Sequence, residues 1–360
     1  MDRRFRAREL GLDLGLLPTG RLNSITDVAG VRVGHTTLIE GPSVRTGVTA
    51  VLAHGGNPFY EKVVAAVHTL NGYGKAMGFE QVRELGTLET PLLLCSTLNV
   101  GRVADGVITW LLARNPEIGR GDGSVNPLVA ECFDGYLSDT RQMSVKAEHV
   151  WAAIDGAREG PFAEGNVGAG TGVIGFGYKG GIGSSSRRIE ESYGGYTVGV
   201  LVVLNCGHQE QLLMGGRRLG QLLSRSPAGR TSEGGSIIMV LATDAPLSAR
   251  QLGRLARRAP LGLARTGAIA SQRSGDFVVA FSTAQRLPHH EQGITREITV
   301  LIEGAPTVNQ LFQAAVDATE EAILNAICMA ETMLGRDGHL RQALPLERVV
   351  QILGSAATNA

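Results

Sequence analysis

The feature that most restricts how this 360-residue chain can fold is the run Ser236-Ile237-Ile238-Met239-Val240-Leu241-Ala242, which follows directly on Glu233-Gly234-Gly235. Its apolar residues do not alternate with polar ones and several are β-branched, the pattern of a strand buried on both faces. The run leaves through Thr243-Asp244-Ala245-Pro246. A loop rich in Gly, Ser and Arg, over about 215–235, leads into it. Loops of that length are uncommon in compact regions and are functional or disordered. Ser236 stands on the seam between loop and strand. Behind two residues with free backbone torsions, its hydroxyl could attack the carbonyl of Gly235 and form an ester. Water would then release a chain beginning at Ser236, whose new α-amine could serve as the base for its own hydroxyl. Gly-Gly-Ser ahead of a strand is also ordinary turn chemistry, so the local residues leave both readings open.

The rest of the composition removes whole classes of function. The length allows a large core, as one big domain or two intimate ones. Glycine, at 49 residues, points to many tight turns and close backbone approaches. Lys plus Arg number 34, as do Asp plus Glu, and a formal charge of zero carries no electrostatic footprint for nucleic acid or an anionic membrane. Cys95, Cys132, Cys206 and Cys328 are scattered without metal-ligand spacing and read as buried free thiols. The apolar piece after Met1-Asp2-Arg3-Arg4-Phe5-Arg6 is short and interrupted by Asp13, so neither a signal peptide nor a membrane span is expected, and a cytoplasmic protein is.

Periodicity places the remaining elements. Strands are expected over 47–53, 92–95, 196–203, 274–283 and 298–302. Val103, Val107, Trp110 and Leu111 share one face of a helix over 103–113, and a short helix is expected over 150–158. Around 250–259 the leucines keep helical spacing while Arg250, Arg254, Arg257 and Arg258 form a solvated face. The longest helix is expected over 306–334, ended by Gly335, with Val308, Leu311, Ala315, Ala322, Ile323, Ala326, Ile327 and Ala330 as its buried stripe. The glycine-rich tract over 164–183 contains two overlapping GxGxxG matches, but neither the strand before nor the helix within that a dinucleotide site needs. Stacked turns are the better reading. This irregular order of helices and strands favours layered sheets with helices outside.

No zinc motif appears among the eight histidines, and His35, His54 and His149 read as structural or solvated. No G-x-S-x-G elbow surrounds any serine. What remains is a set of polar residues at the ends of apolar runs: Glu131, Asn205, Ser236, Ser274 and Asp276. Each alone is an ordinary turn residue; together they comprise a nucleophile, an amide donor and an orienting carboxylate.

From Ser24-Ile25-Thr26-Asp27-Val28, through Glu164-Gly165-Asn166-Val167-Gly168, Lys179-Gly180-Gly181-Ile182-Gly183, Gly235-Ser236-Ile237-Ile238 and Ala242-Thr243-Asp244-Ala245-Pro246, to the 330–339 segment, the chain resembles one family. It is that of self-processing serine aminopeptidases, including L-aminopeptidase/D-amino-acid esterase-amidases and β-peptidyl aminopeptidases. The resemblance implies one α+β domain over 1–360, a four-layer αββα sandwich, cleaved between Gly235 and Ser236 into an α piece (1–235) and a β piece (236–360). It further implies a homo-oligomer of such αβ heterodimers acting on small peptides or amino-acid amides and esters, without metal or organic cofactor. Ser236 matches the nucleophile, Asn205 the oxyanion asparagine, and Ser274 and Asp276 the pair that orients the nucleophile's hydrogen bonds. Glu131 matches the carboxylate that holds the substrate's free amino group, a role that selects uncapped N-termini.

Two positions depart from the family pattern. Phe133 stands where the family has a catalytic tyrosine, with Tyr136 the candidate substitute, and Lys75 stands where an acidic residue is usual. These departures keep a second reading in play, an uncleaved and catalytically impaired member acting as a binding protein. A third, an acyltransferase of the ornithine acetyltransferase type, would use a threonine nucleophile, which Ser236 argues against.

Overall fold

A computed structural model describes residues 3–223 and 235–354. Residues 224–234 of the loop expected over about 215–235, Glu233 and Gly234 among them, lie outside the described residues, and its first part contains a short helix over Leu219–Leu223 instead of continuous loop. The strands are β1 (Arg32–Glu40), β2 (Val44–Leu52), β3 (Glu61–Gly72), β4 (Ala76–Met77), β5 (Thr87–Leu88), β6 (Leu92–Ser96), β7 (Leu128–Cys132), β8 (Ile174–Gly175), β9 (Tyr178–Lys179), β10 (Gly181–Arg188), β11 (Thr197–Asn205), β12 (Gly235–Thr243), β13 (Ser274–Pro288), β14 (Met333–Leu334) and β15 (Leu340–Arg341). The helices are α1 (Phe79–Leu85), α2 (Val100–Leu112), α3 (Ala147–Asp155), α4 (Leu219–Leu223), α5 (Ala249–Ala256), α6 (Ala259–Arg265), α7 (Pro306–Met329) and α8 (Leu346–Gly354). The fold is mixed α+β. Among the described residues no helix is long and apolar enough to cross a membrane.

Two large sheets carry the fold: a six-stranded one ordered β10-β11-β12-β13-β3-β5 and a five-stranded one ordered β1-β2-β6-β7-β4. The apolar run is β12, near the centre of the larger sheet, antiparallel to β11 and parallel to β13. Parallel neighbours need a crossover, and α5 and α6 supply it. Burial on both faces of β12 explains the missing alternation. Ile237, Met239 and Leu241 share a core with Leu311, Ala315, Ala322 and Ile323 of α7. Ile238, Val240 and Ala242 share another with Leu92, Leu94, Leu128 and Ala130 of the smaller sheet. A third core joins Val48, Leu93 and Val129 to Val103 and Val107 of α2 and Val150 and Ile154 of α3. All four cysteines are buried and free.

The long helix is buried well beyond its expected stripe: every residue from Ala314 to Cys328 is covered. The polar side chains of that covered stretch are all partnered. Glu321 pairs with Arg187 at 2.6 Å and Arg8 at 2.8 Å, Asp317 pairs with Arg265 at 2.7 Å, and the Asn325 amide donates to the Ser184 carbonyl at 2.9 Å. Arg187 and Glu321 are almost wholly excluded from water, so removing either leaves an uncompensated buried charge.

Four expectations shift. The helix ends at Met329 rather than at 334, because Asn166 clamps Glu331 into an extended course, accepting from its N–H and donating to its carbonyl. Met333–Leu334 then pair with Leu340–Arg341. No strand forms over 298–302: the Thr299 N–H is taken by the Gln285 side chain and the Leu301 N–H by the Pro246 carbonyl, so no ladder develops. The helix expected over 150–158 starts earlier, at Ala147, where the His149 side chain accepts from the Lys146 N–H. The arginine face is only partly solvated, since Arg258 lies 3.9 Å from the ring centre of Phe312 and Arg254 pairs with Glu303.

β10 and α7 meet through Gly183, where a Cβ would stand 2.1 Å from the Ala322 carbonyl oxygen and 2.4 Å from the Ala326 nitrogen. Both obstacles are backbone, so neither can swing aside. Gly183→Ala is expected to cost about 1–3 kcal/mol, read as a lower urea midpoint at unchanged m-value.

Candidate active site

Strand register assembles the polar set. Ser236 opens β12, paired with Asn205 at the end of β11 on one side and Gly275 at the start of β13 on the other. The same parallel register sets Gly235 beside Ser274 and Ile237 beside Asp276. Four residues separated by up to 71 positions in sequence thus meet at one end of the sheet, because that is where three strands begin or end together. Ser236 is 3 % exposed. Its Oγ accepts from Asn205 Nδ2 at 3.1 Å and from the main-chain N–H of Phe133 at 3.2 Å. Asn205 is held in that orientation by the Ile174 N–H, which donates to its Oδ1 at 2.8 Å. The glycine-rich tract, read from sequence as stacked turns, therefore reaches the site by positioning this amide.

Ser274 and Asp276 form a second buried pair: the Ser274 hydroxyl donates to Asp276 Oδ1 at 2.6 Å. Asp276 is fully shielded from water, and its Oδ2 has no hydrogen-bond partner among the described residues. Burial pushes its pKa up to about 6, against lowering by the Ser274 hydroxyl and the Ile237 amide. A carboxyl poised there can accept or hold a proton near neutrality. The turn that leads into Ser274 is tied down by Asn71, whose amide donates to the carbonyls of Ser271, Gln272 and Ser274.

Glu131 belongs to β7 of the other sheet and is 3 % exposed. Its Oε1 accepts from the Lys75 N–H at 3.1 Å, and its Oε2 accepts from the Thr97 hydroxyl. Burial raises its pKa, while Thr97 and Lys75 oppose the shift. A Cβ added at Gly74 would lie 3.1 Å from both Glu131 Oε1 and the Gly275 backbone, so the carboxylate borders the strand end that carries Ser236. Lys75 contributes through its main chain, and its side chain is exposed.

Phe133 follows two residues after Glu131, and its ring is 49 % exposed beside Gly135. The contact it makes with Ser236 is through the main chain and survives the loss of a tyrosine hydroxyl. Tyr136 does not take that hydroxyl's place: its ring stacks on His339 at 4.5 Å and lies 4.0 Å from the Arg341 guanidinium. Sequence reasoning missed Thr97, Asn71 and the amides of Phe133 and Ile174. Main-chain donors leave no trace in residue identity, and Asn71 acts on residues 200 and more positions away. His35, His54 and His149 serve local hydrogen bonds, to Thr49, to the Glu61 carbonyl and to the Lys146 amide.

Comparison with known proteins places the chain among relatives of one family. The model of peptidase family S58 matches residues 23–341. The β-peptidyl aminopeptidase BapA of Sphingosinicella xenopeptidilytica is 39 % identical over 97 % of this chain and 90 % of its own length. The PH0078 protein of Pyrococcus horikoshii superposes with a TM-score of 0.93 at 48 % identity, covering 98 % of this chain and 99 % of its own. The L-aminopeptidase D-Ala-esterase/amidase of Ochrobactrum anthropi, described as a prototype of the serine aminopeptidases and a variant of the Ntn hydrolase fold, gives a TM-score of 0.90 at 37 % identity, with coverage of 98 % and 99 %.

The buried Asp276 carboxyl carries a stability signature. Its folded pKa, about 6, lies above the ordinary 3.8, so the folded state holds the proton more tightly than the unfolded chain. That contribution is complete below pH 3.8 and is lost as pH rises through about 6. Urea unfolding of Ser236→Ala, which lacks the hydroxyl needed to cut the chain, and of the same variant carrying Asp276→Asn, across pH 4 to 7.5, is expected to show the former losing on the order of 2–3 kcal/mol relative to the latter. Parallel curves would mean that Asp276 does not titrate in this window.

Proposed function

The chain belongs to peptidase family S58 and is a peptide-bond hydrolase, and from that premise we propose a self-processing aminopeptidase with Ser236 as its nucleophile. The observation that carries this is the convergence of Asn205 Nδ2 and the Phe133 N–H on the Oγ of a buried serine at the start of a strand. Two fixed donors leave the hydroxyl's own proton free to be given up. Lying beside the attacking oxygen, they are also placed to meet the negative charge that builds on the carbonyl oxygen under attack, in a buried site where such charge is costly without a donor.

In processing, Ser236 Oγ adds to the Gly235 carbonyl, the C–N bond breaks, and the Ser236 nitrogen takes a proton as the new α-amine. Water hydrolyses the resulting ester and leaves pieces 1–235 and 236–360. In turnover, that α-amine accepts the Ser236 hydroxyl proton as Oγ attacks the substrate carbonyl, and the departing amine is protonated as its bond breaks. Water then releases the acyl group. Ser274 and Asp276 hold the strand start and receive the hydrogen bonds of the new terminus. Glu131, ionised when an ammonium group approaches, holds the substrate's free N-terminus. The names of the relatives, β-peptidyl aminopeptidase and L-aminopeptidase D-Ala-esterase/amidase, support short peptides, amides or esters with a free amine as the substrate class. The three cores support an αββα arrangement, with α2 and α3 outside the smaller sheet and α5 to α7 outside the larger.

Denaturing mass measurement of the purified protein is expected to give the two pieces, the smaller beginning Ser-Ile-Ile-Met, while Ser236→Ala stays whole. An uncut wild-type chain would end the self-processing reading. Asn205→Ala is expected to lower kcat by about 10²–10³. Glu131→Gln is expected to reduce kcat/KM at least tenfold on an amino-acid p-nitroanilide. A wild-type enzyme that cleaves the N-acetylated anilide as well as the free one would remove Glu131 from substrate recognition.

A further inference from the structure

At the far end of β13 from Ser236, three potential ligands gather that the hydrolytic chemistry does not use. His289 and His290 follow directly on Pro288, the last residue of β13. Asp122 comes from the loop between α2 and β7. One carboxylate oxygen and one ring nitrogen from each histidine lie within 4.8 Å of one another. Adjacent residues in extended chain point to opposite sides, yet these two rings meet edge to face, with centres 4.9 Å apart and planes at 88°. The chain therefore turns at the strand's end so that both imidazoles reach one place.

The surroundings are built as a ligand set is built. The Tyr60 hydroxyl donates to Asp122 Oδ2 at 2.7 Å, which leaves Oδ1 directed to His290 Nε2 at 3.3 Å. For this pair the separation matches that of two ligands in tetrahedral coordination with bonds near 2.0–2.1 Å; the three ligand atoms together lie within 4.8 Å, so His289 would close in on binding. The ring of His289 stacks on Phe59 at 4.4 Å, and its backbone N–H donates to the Tyr60 carbonyl at 2.9 Å, so the residue is held from both ends. Despite this, its Nδ1 is buried with no hydrogen-bond partner among the described residues. Leaving a buried ring nitrogen unpaired costs free energy, and a cation bound at the cluster would give the ring an electrostatic reason for its placement. A carboxylate fixed by an outer hydroxyl is one of the supports that orient metal ligands, and the stacked Phe59 limits the rotation of the His289 ring.

We infer that Asp122, His289 and His290 form a binding site for one divalent first-row transition metal ion of the zinc class, with the remaining coordination position left to water. The site fastens the end of the larger sheet's β13 to the loop that caps the helix side of the smaller sheet, far from the Ser236 end of the strand. Asp122 and Tyr60 precede residue 235 and the histidines follow it, so under the processing proposed above the ion would bridge the two pieces. Metal binding itself does not rest on that processing. The sequence did not display the site because an adjacent histidine pair has no recognised ligand spacing and its third member is remote in the chain.

The test uses the full-length protein, stripped with a chelator, dialysed, and titrated with ZnCl2 by calorimetry alongside thermal unfolding. Saturable binding of one ion per chain is expected, with a rise of several degrees in Tm. His290 is largely exposed, so His290→Ala keeps the fold; it and Asp122→Asn are each expected to weaken zinc binding at least tenfold and to abolish the Tm shift. The uncut Ser236→Ala chain is expected to bind zinc as the wild type does, which separates this inference from the processing reading. Equal zinc affinity in the wild type and His290→Ala, or no binding at 100 μM zinc, would overturn it.

Discussion

The register of β12 between β11 and β13 is the constraint on which the site depends. Antiparallel pairing on one side brings the end of β11, and so Asn205, to Ser236; parallel pairing on the other brings the start of β13, and so Ser274 and Asp276. A slip of one residue would reverse every side chain of β12 between its two cores. Such a slip would expose Ile237, Met239 and Leu241 to the wrong packing surface and turn the Ser236 hydroxyl away from Asn205. Hydrophobic packing therefore enforces catalytic geometry: the burial that stabilises the strand also fixes where its first hydroxyl points.

The second sheet completes what the first begins. β7 ends at Cys132, and the next residue's N–H reaches across to Ser236 Oγ, while Glu131 one step earlier meets the Lys75 amide and the Thr97 hydroxyl. The site is thus a seam between two sheets that pack on a shared core. Its polar groups sit in a dry environment, which raises the pKa of Asp276 to about 6 and moves Glu131 in the same direction. Charges there are costly when unpaired and strong when met by a partner. This suits a carboxylate whose purpose is to greet an ammonium group.

The departures from the family pattern take on a different weight once main-chain contacts are visible. Phe133 lacks a hydroxyl, yet its backbone supplies a donor to the nucleophile. Lys75 reverses a side-chain charge, yet its backbone supplies a donor to Glu131. In both cases the peptide group does work that the side chain's identity would not disclose. Tyr136, the natural substitute on sequence position, is engaged by His339 and Arg341 instead.

Much of this was legible in the sequence because it rests on local pattern. The unbroken apolar run is a strand buried on both faces, the helix through Val103 and Trp110 forms with its expected face buried but starts three residues earlier, at Val100, and the polar residues at the ends of apolar runs do cluster. Local pattern failed where partners are distant. Ile298, Val300 and Ile302 have a strand's composition, but Gln285 and Pro246 take the hydrogen bonds a ladder would need. The long helix stops where Asn166 grips Glu331. Only the tertiary structure decided which donors face Ser236, which ring nitrogen of the His289–His290 pair is left without a partner, and that Asp122 stands beside it. Sequence records which groups a chain possesses and their local periodicity; distances between groups far apart in the chain come into being only when sheets pair and cores close.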